Sequence, residues 1–372
     1  MIAGAGCLRS AQSEDRSEQL RYPDSERVAW HLPLGGPRND SLRGVIPAES
    51  GPVTFGSNAG DADADTLRPW LLARATDGTG RWTETVPPEG IESGVLTPTD
   101  GTVLADGRFG FALSGFSERA GGTFGGLLVA DSEGSVTAHE QYRRDVTTNL
   151  FAISRLGDGT VVLGGTQRGS GSWFHGVSAD GETRWEHGSE ADRRLVTGLV
   201  PTADGALAVG TDRSGSDTDL GWTATVDADG VAWQATLDTP ARSVRRADGN
   251  YLVRTEAGWH RVDAAGTVLE TDVFGGRPYP MTATTDGRLF VGTTDEDGLL
   301  VATTEDGTER WRERIGGERR EELTDVVALS DGGALAVGAT RSYRSAQEVA
   351  SATATPDGTE MRSNAWLVRV DL

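Results

Sequence analysis

From Val28 to the C-terminus, apolar residues recur at every second position over runs of four to seven, and each run ends in Gly, Asp or Asn. This period predicts short β-strands, each with one face turned to a core, joined by tight turns. One strand recurs seven times: Val53–Gly56, Arg108–Leu113, Thr160–Gly164, Ala206–Gly210, Tyr251–Val253, Arg288–Gly292 and Ala334–Gly338. Six copies follow an Asp-Gly pair, beginning at Asp106, Asp158, Asp204, Asp248, Asp286 and Asp331, at intervals of 38 to 52 residues. Gly supplies the positive φ of a two-residue hairpin, and Asp tolerates the position before it.

Each unit continues with a third strand, a second Asp-Gly type of turn and a fourth strand. The fourth strand carries Trp82, Trp185, Trp233 or Trp311, and the second and fifth units lack the tryptophan. The last unit ends at Ala365–Leu372, a third strand without a fourth. Its missing partner lies at the other end, where Val28–Gly36 matches Glu309–Gly317 and Trp30 falls where Trp311 does. The expected fold is therefore all-β: a seven-bladed β-propeller of four-stranded blades over residues 28–372, closed by the N-terminal strand. Closure removes two open sheet edges. Units of the form D-x-x-G-x-x-x-W resemble the repeat of PQQ-like (quinoprotein-type) propellers. The resemblance implies that Trp30, Trp82, Trp185, Trp233 and Trp311 dock against neighbouring blades; sugar stacking is the alternative use. That family includes quinoprotein dehydrogenases, lipid-anchored assembly factors and extracytoplasmic propellers of unknown role.

Residues 1–27 differ in kind. Met1–Gly6 are mostly small and precede the only cysteine, Cys7. The stretch resembles a prokaryotic lipobox, which implies a lipid on Cys7 and a place on the outer face of the cell membrane. Only six residues precede Cys7, without a charged or full apolar segment, so the expectation requires a longer signal upstream; an ordinary free thiol is the alternative. Ser10–Arg27 has almost no apolar residue and reads as a disordered tether.

Composition narrows the chemistry. All 35 basic residues are Arg, against 56 acidic residues, giving a net charge of −21. An acidic, lysine-free chain suits a halophilic, haloarchaeal source and argues against nucleic acid as a partner. Without Lys there is no Walker A loop and no Schiff base. The five histidines are scattered without metal-ligand spacing, and G-x-S-x-G, H-E-x-x-H and C-x-x-C are absent. No apolar run approaches the roughly 18 residues that span a membrane as a helix.

Candidate binding residues come from the blade-to-blade connections. Six of the seven carry arginine, represented by Arg38, Arg144, Arg194, Arg242, Arg277 and Arg320. Two readings stay open: a basic mouth at one end of the axial channel for a small anionic ligand or a partner's acidic segment, or ion pairs that knit blades together. Acidic loops at Asp61–Asp65 and Asp212–Asp219 space carboxylates somewhat as calcium loops do, without the full pattern. The longest loop, Arg341–Asn364, holds the one segment (342–351) that suits a helix. The expectation is a monomeric, non-enzymatic, lipid-anchored binding or envelope-assembly module without a cofactor. The alternatives are a dehydrogenase using PQQ and calcium, or a glycan-binding or glycan-processing propeller.

Overall fold

A computed structural model describes residues 25–35, 39–59, 67–86, 94–117, 122–142, 147–167, 171–188, 193–215, 218–247, 249–277, 279–317, 319–342 and 363–372. Cys7, most of the tether, Arg38, Arg144, Asp61–Asp65 and the proposed helix lie outside the described residues. The rest form seven antiparallel sheets of four strands, arranged as a ring. Blades one to six occupy residues 41–85, 94–142, 148–188, 194–237, 241–270 and 281–315 in order. Blade seven takes three strands from residues 321–370 and its outermost strand, Val28–Leu34, from the other end of the chain. That strand pairs antiparallel with Asn364–Val370, from Val28 opposite Val370 to Leu34 opposite Ala365.

The core is divided. Seven apolar clusters each fill one interface between adjacent blades. The closing cluster sets Leu42, Trp70 and Leu72 of blade one against Leu335, Val337 and Leu367 of blade seven. Because both faces of each sheet meet a neighbour, the two central strands of a blade are buried on both sides. Val161–Gln167 and Asn364–Val370 have no exposed residue. Outermost strands such as Gly80–Thr85 and Val136–Tyr142 keep an exposed face.

Most hairpin loops hold three residues, where the sequence suggested two. In Leu104–Arg108, Gly107 N–H donates to Leu104 O and Leu104 N–H to Arg108 O, at 3.1 and 2.7 Å. This is a type I turn followed by a left-handed glycine, with φ of 83° at Gly107. The preceding aspartate closes the turn with its side chain, since Asp77, Asp106, Asp158 and Asp306 each accept the N–H two residues on. These bonds help to hold the four carboxyls below the usual range.

The hairpin between the third and fourth strands of blade four is an exception. Asp227 N–H donates to Gly230 O, so only two residues lie between them. The outermost strand is consequently displaced by one residue. Trp82, Trp185 and Trp311 follow their turn aspartate by five positions, and Trp233 follows Asp229 by four. A one-residue slip moves a strand side chain to the other face. Trp233 turns back toward blade three, where it meets Trp222 edge-on at 4.9 Å and carries the Arg194 guanidinium 4.1 Å above its ring. It is 38 % exposed.

Candidate functional site: the axial channel

The innermost strands stand around the axis. Six of the seven contain a β-bulge in the same place, with Arg43, Thr99, Phe151, Thr197, Arg242 and Thr324 as the extra residues. Blade six has a four-residue innermost strand, Met281–Thr284, without a bulge. A bulge leaves one residue outside the ladder and re-aims its side chain. Here all six of those residues line one axial cavity of about 1110 Å³.

The bulge threonines bridge blades. Thr99 Oγ1 lies 3.0 Å from Ala112 O in its own blade and 2.9 Å from Leu150 O in blade three. Thr197 bridges Val209 O and Ala241 O, and Thr324 bridges Val337 O and Leu42 O. In two blades an aspartate follows and accepts another N–H across the same seam: Ile153 N–H to Asp100 Oδ2 at 3.0 Å, and Val45 N–H to Asp325 Oδ2 at 3.1 Å. Blade four has Gly198 there, and a Cβ on it would stand 3.1 Å from Val244 N.

Charge in the channel is concentrated on blade five. Arg245 pairs with Asp325 of blade seven and donates to Met281 O at 2.9 Å and Val326 O at 3.3 Å, spanning the short strand of blade six. Arg254, on the adjacent strand, donates from Nε to Ser243 Oγ at 3.1 Å. Desolvation, together with the like charges of Arg245 and Arg242, lowers its pKa to about 10. Desolvation raises Asp100 to about 7, against its two backbone N–H bonds and Arg245.

The predicted arginines separate. Arg242 lines the channel and pairs with Glu256. Arg194 pairs with Asp212 at 3.0 Å and covers Trp233. Arg277 reaches blade six, where it meets Gly307 O and Glu309 at 3.3 Å. Arg320 is exposed, and its carbonyl accepts Arg341 N–H. Of the acidic loop, Asp212 also accepts Ser214 N–H, and Asp219 pairs with Arg213 at 3.5 Å.

Sequence reasoning missed Arg43, Arg213, Arg245, Arg254, Asp100 and Asp325. A usable signal was the Thr-Asp pair that recurs at Thr99-Asp100 and Thr324-Asp325 in equivalent strands. The channel does not suit a calcium-held quinone. A divalent cation needs several converging oxygen donors, whereas Asp100 and Asp325 each hold a backbone N–H and guanidinium groups occupy the wall between blades five and seven. Among the described residues, no three metal-ligating side chains converge.

The tryptophans occupy the outer seams. Trp30 Nε1 donates to Thr76 O at 3.2 Å, and Trp82 Nε1 to Ser132 O at 2.9 Å, each onto the third-to-fourth hairpin of the following blade. Trp185 stacks on His187, which bonds Asp227 O at 3.0 Å. Trp311 packs against the blade six–seven cluster beneath Arg27. The two blades without tryptophan use substitutes: Tyr142 OH donates to Gly181 O at 3.1 Å, and Phe274 with Arg277 covers Gly307. Where Trp233 has turned away, Thr223 Oγ1 donates to Gly266 O of blade five at 2.6 Å.

No family model and no curated protein matches this chain. Solved structures do. A chain of the mitotic checkpoint complex is 11 % identical, with 100 % of this chain and 97 % of that one covered and a TM-score of 0.55. A protein of unknown function from Dyadobacter fermentans is 12 % identical, with 93 % and 99 % covered and a TM-score of 0.50. A glucose dehydrogenase is 12 % identical, with 91 % and 99 % covered and a TM-score of 0.42. At these identities the likeness concerns the fold alone. The class is the seven-bladed β-propeller, and five arginines and three carboxylates line the axial channel of this chain.

Proposed function

We propose that this propeller is a non-enzymatic binding module whose ligand or partner is received at the axial channel, and that it works outside the cell on a lipid carried by Cys7. The observation that supports the reading is the channel itself: a cavity of about 1110 Å³ on the axis, with arginines and carboxylates in its wall and inter-blade bonds holding it. Rigid scaffolds present function on such clefts and on the loops around them. The polar groups of the wall hold neighbouring blades together, which suits recognition better than proton transfer.

The test is capture from a salt-adapted envelope extract with the intact chain as bait, repeated with Arg242→Ala at the wall. A binding module retains a specific component with the wild type and loses it with the variant. Equal recovery with both would remove the channel from the reading. Radiolabelled fatty acid incorporated into the full-length protein, and absent after Cys7→Ser, tests the anchor.

A further inference from the structure

The displaced tryptophan of blade four borders a cleft on the rim of the disc. Of the ten tryptophans, all among the described residues, only Trp233 is more than one-third exposed. The fold does not dock it as it docks Trp30 and Trp82, because Thr223 Oγ1 holds the Gly266 turn of blade five in its place. The ring instead lines a cavity of about 350 Å³ at the outer end of the seam between blades three and four. Val231 lies beside it, and blade three supplies Ser172, Glu186 and His187. Ligand pockets begin at about 300 Å³.

A single exposed apolar side chain needs no ligand to explain it. What sets this one apart is that the groups around it are fixed in place. One face of the indole carries the Arg194 guanidinium, which is itself paired with Asp212, and Trp222 meets the ring edge-on. Glu186 Oε1 accepts Trp173 Nε1–H at 2.6 Å, and a carboxylate has acceptor sites for further donors. His187 is stacked on Trp185, and its Nε2 lies 3.0 Å from Asp227 O. A carbonyl only accepts, so Nε2 carries the hydrogen and Nδ1 of the neutral ring is an acceptor. The cleft thus sets an exposed indole beside oriented hydrogen-bond acceptors.

We propose that this cleft is a second binding site, separate from the axial channel, for a neutral saccharide. One sugar ring lays its C–H face against the indole of Trp233, and its hydroxyls donate to Glu186 and to His187 Nδ1. A sugar has an apolar face of C–H groups and a rim of O–H donors, which complements an amphipathic indole flanked by acceptors. An anionic sugar would meet the Glu186 carboxylate and a chain of net charge −21. A quaternary ammonium ion also favours indole, but this ring already holds the Arg194 cation. Because Trp233, Glu186 and His187 are braced by neighbours, little ordering is left to oppose binding.

Calorimetric titration of the full chain with maltotriose, cellotriose and mannotriose, at constant high ionic strength, tests this. At least one of these neutral hexose chains should bind saturably and shield a tryptophan from acrylamide quenching. Trp233→Ala should weaken that binding about tenfold or more and abolish the shielding. Trp233→Phe keeps a smaller ring and should recover part of the affinity, which separates a lost contact from a folding defect. Glu186→Gln retains an acceptor for Trp173 and removes the charge, and should weaken binding several-fold. Arg242→Met, in the channel, should leave saccharide binding unaltered. The proposal is overturned if none of the probes binds, if Trp233→Ala binds as the wild type does, or if tetramethylammonium displaces the sugar. Loss of sugar binding in Arg242→Met would also overturn it, by placing the sugar in the channel. Envelope capture that depends on Arg242 concerns the channel alone, so either site can fail without the other.

Discussion

Gly134 and Gly159 have the same backbone and different surroundings. Both sit in the left-handed region, at φ of 92° and 82°. A Cβ at Gly159 would meet nothing within 4 Å, whereas one at Gly134 would stand 2.6 Å from the Trp82 ring. Gly159→Ala should therefore cost only the backbone strain, about 1 kcal/mol. Gly134→Ala should cost about 2–3 kcal/mol, because the docked indole must also move. Chemical denaturation of the two variants separates these outcomes, and equal losses would mean that the Trp82 contact has no energetic weight. Asp100 allows a second prediction at this scale. Its pKa is about 7 in the folded protein against an ordinary 3.8, so between these limits the native state holds a proton that the unfolded chain releases. The stability linked to this group is fully present below about pH 4 and is lost as pH rises toward 7. Paired carboxylates such as Asp212 and Glu309, whose pKa values are lowered, act in the opposite sense. The measurement is therefore a difference. The stability advantage of wild type over Asp100→Ser should shrink by a few kcal/mol between pH 5 and pH 8. Asp325 and Arg245 face the same carboxyl, and a pH-independent difference would show that they already set its charge.

At the scale of the strand, blade four shows what was legible and what was not. The strands, their grouping in fours and the closing role of Val28–Leu34 follow from period-two runs and from the match of Val28–Gly36 to Glu309–Gly317. Loop length was harder to read, because Asp-Gly stands in both the three-residue and the two-residue hairpin, and only hydrogen bonding tells them apart. The clue was the spacing from Asp229 to Trp233, four residues where the other blades have five. Repeat position suggested a common role for all five tryptophans; the pleat of the strand turns Trp233 to the opposite face. The consequence is measurable. Trp185 packs on the buried cluster between blades three and four, and truncating it to Ala should cost about 3 kcal/mol. Trp233→Ala should cost under about 1 kcal/mol, because the ring is more than one-third exposed and its partner Arg194 keeps Asp212. Acrylamide quenching should also fall measurably in Trp233→Phe. If the two alanine variants melt alike, Trp233 docks as the other tryptophans do.

At the scale of the whole molecule, stability is shared among seven interfaces, and the ring requires one of them to join distant parts of the chain. The seam between blades seven and one is made at two radii. Near the axis, Thr324 and Asp325 bond Leu42 O and Val45 N, and farther out Val28–Leu34 completes the blade seven sheet. The outer layer is anchored by buried Trp366, whose indole donates to His31 Nδ1 at 3.2 Å, and Asp371 N–H meets Arg27 O at 2.8 Å where the other blades have a hairpin turn. Of the channel wall, Arg242 was legible from its place in a blade-to-blade connection, but most of the wall was not, because it is built from bulge residues of six different strands and no local pattern marks Arg43 and Phe151 as its neighbours around one axis. Removing residues 25–34 would strip the ladder partner from Asn364–Val370, a strand with no exposed residue, and leave an apolar edge open. The shortened chain should elute as aggregates, with its melting transition lowered by more than about 10 °C or lost. A synthetic peptide spanning residues 25–36, added during refolding, should restore the monomeric species by strand pairing. A truncated chain that stays monomeric and melts as the wild type does would mean that the inner seam closes the ring without the N-terminal strand.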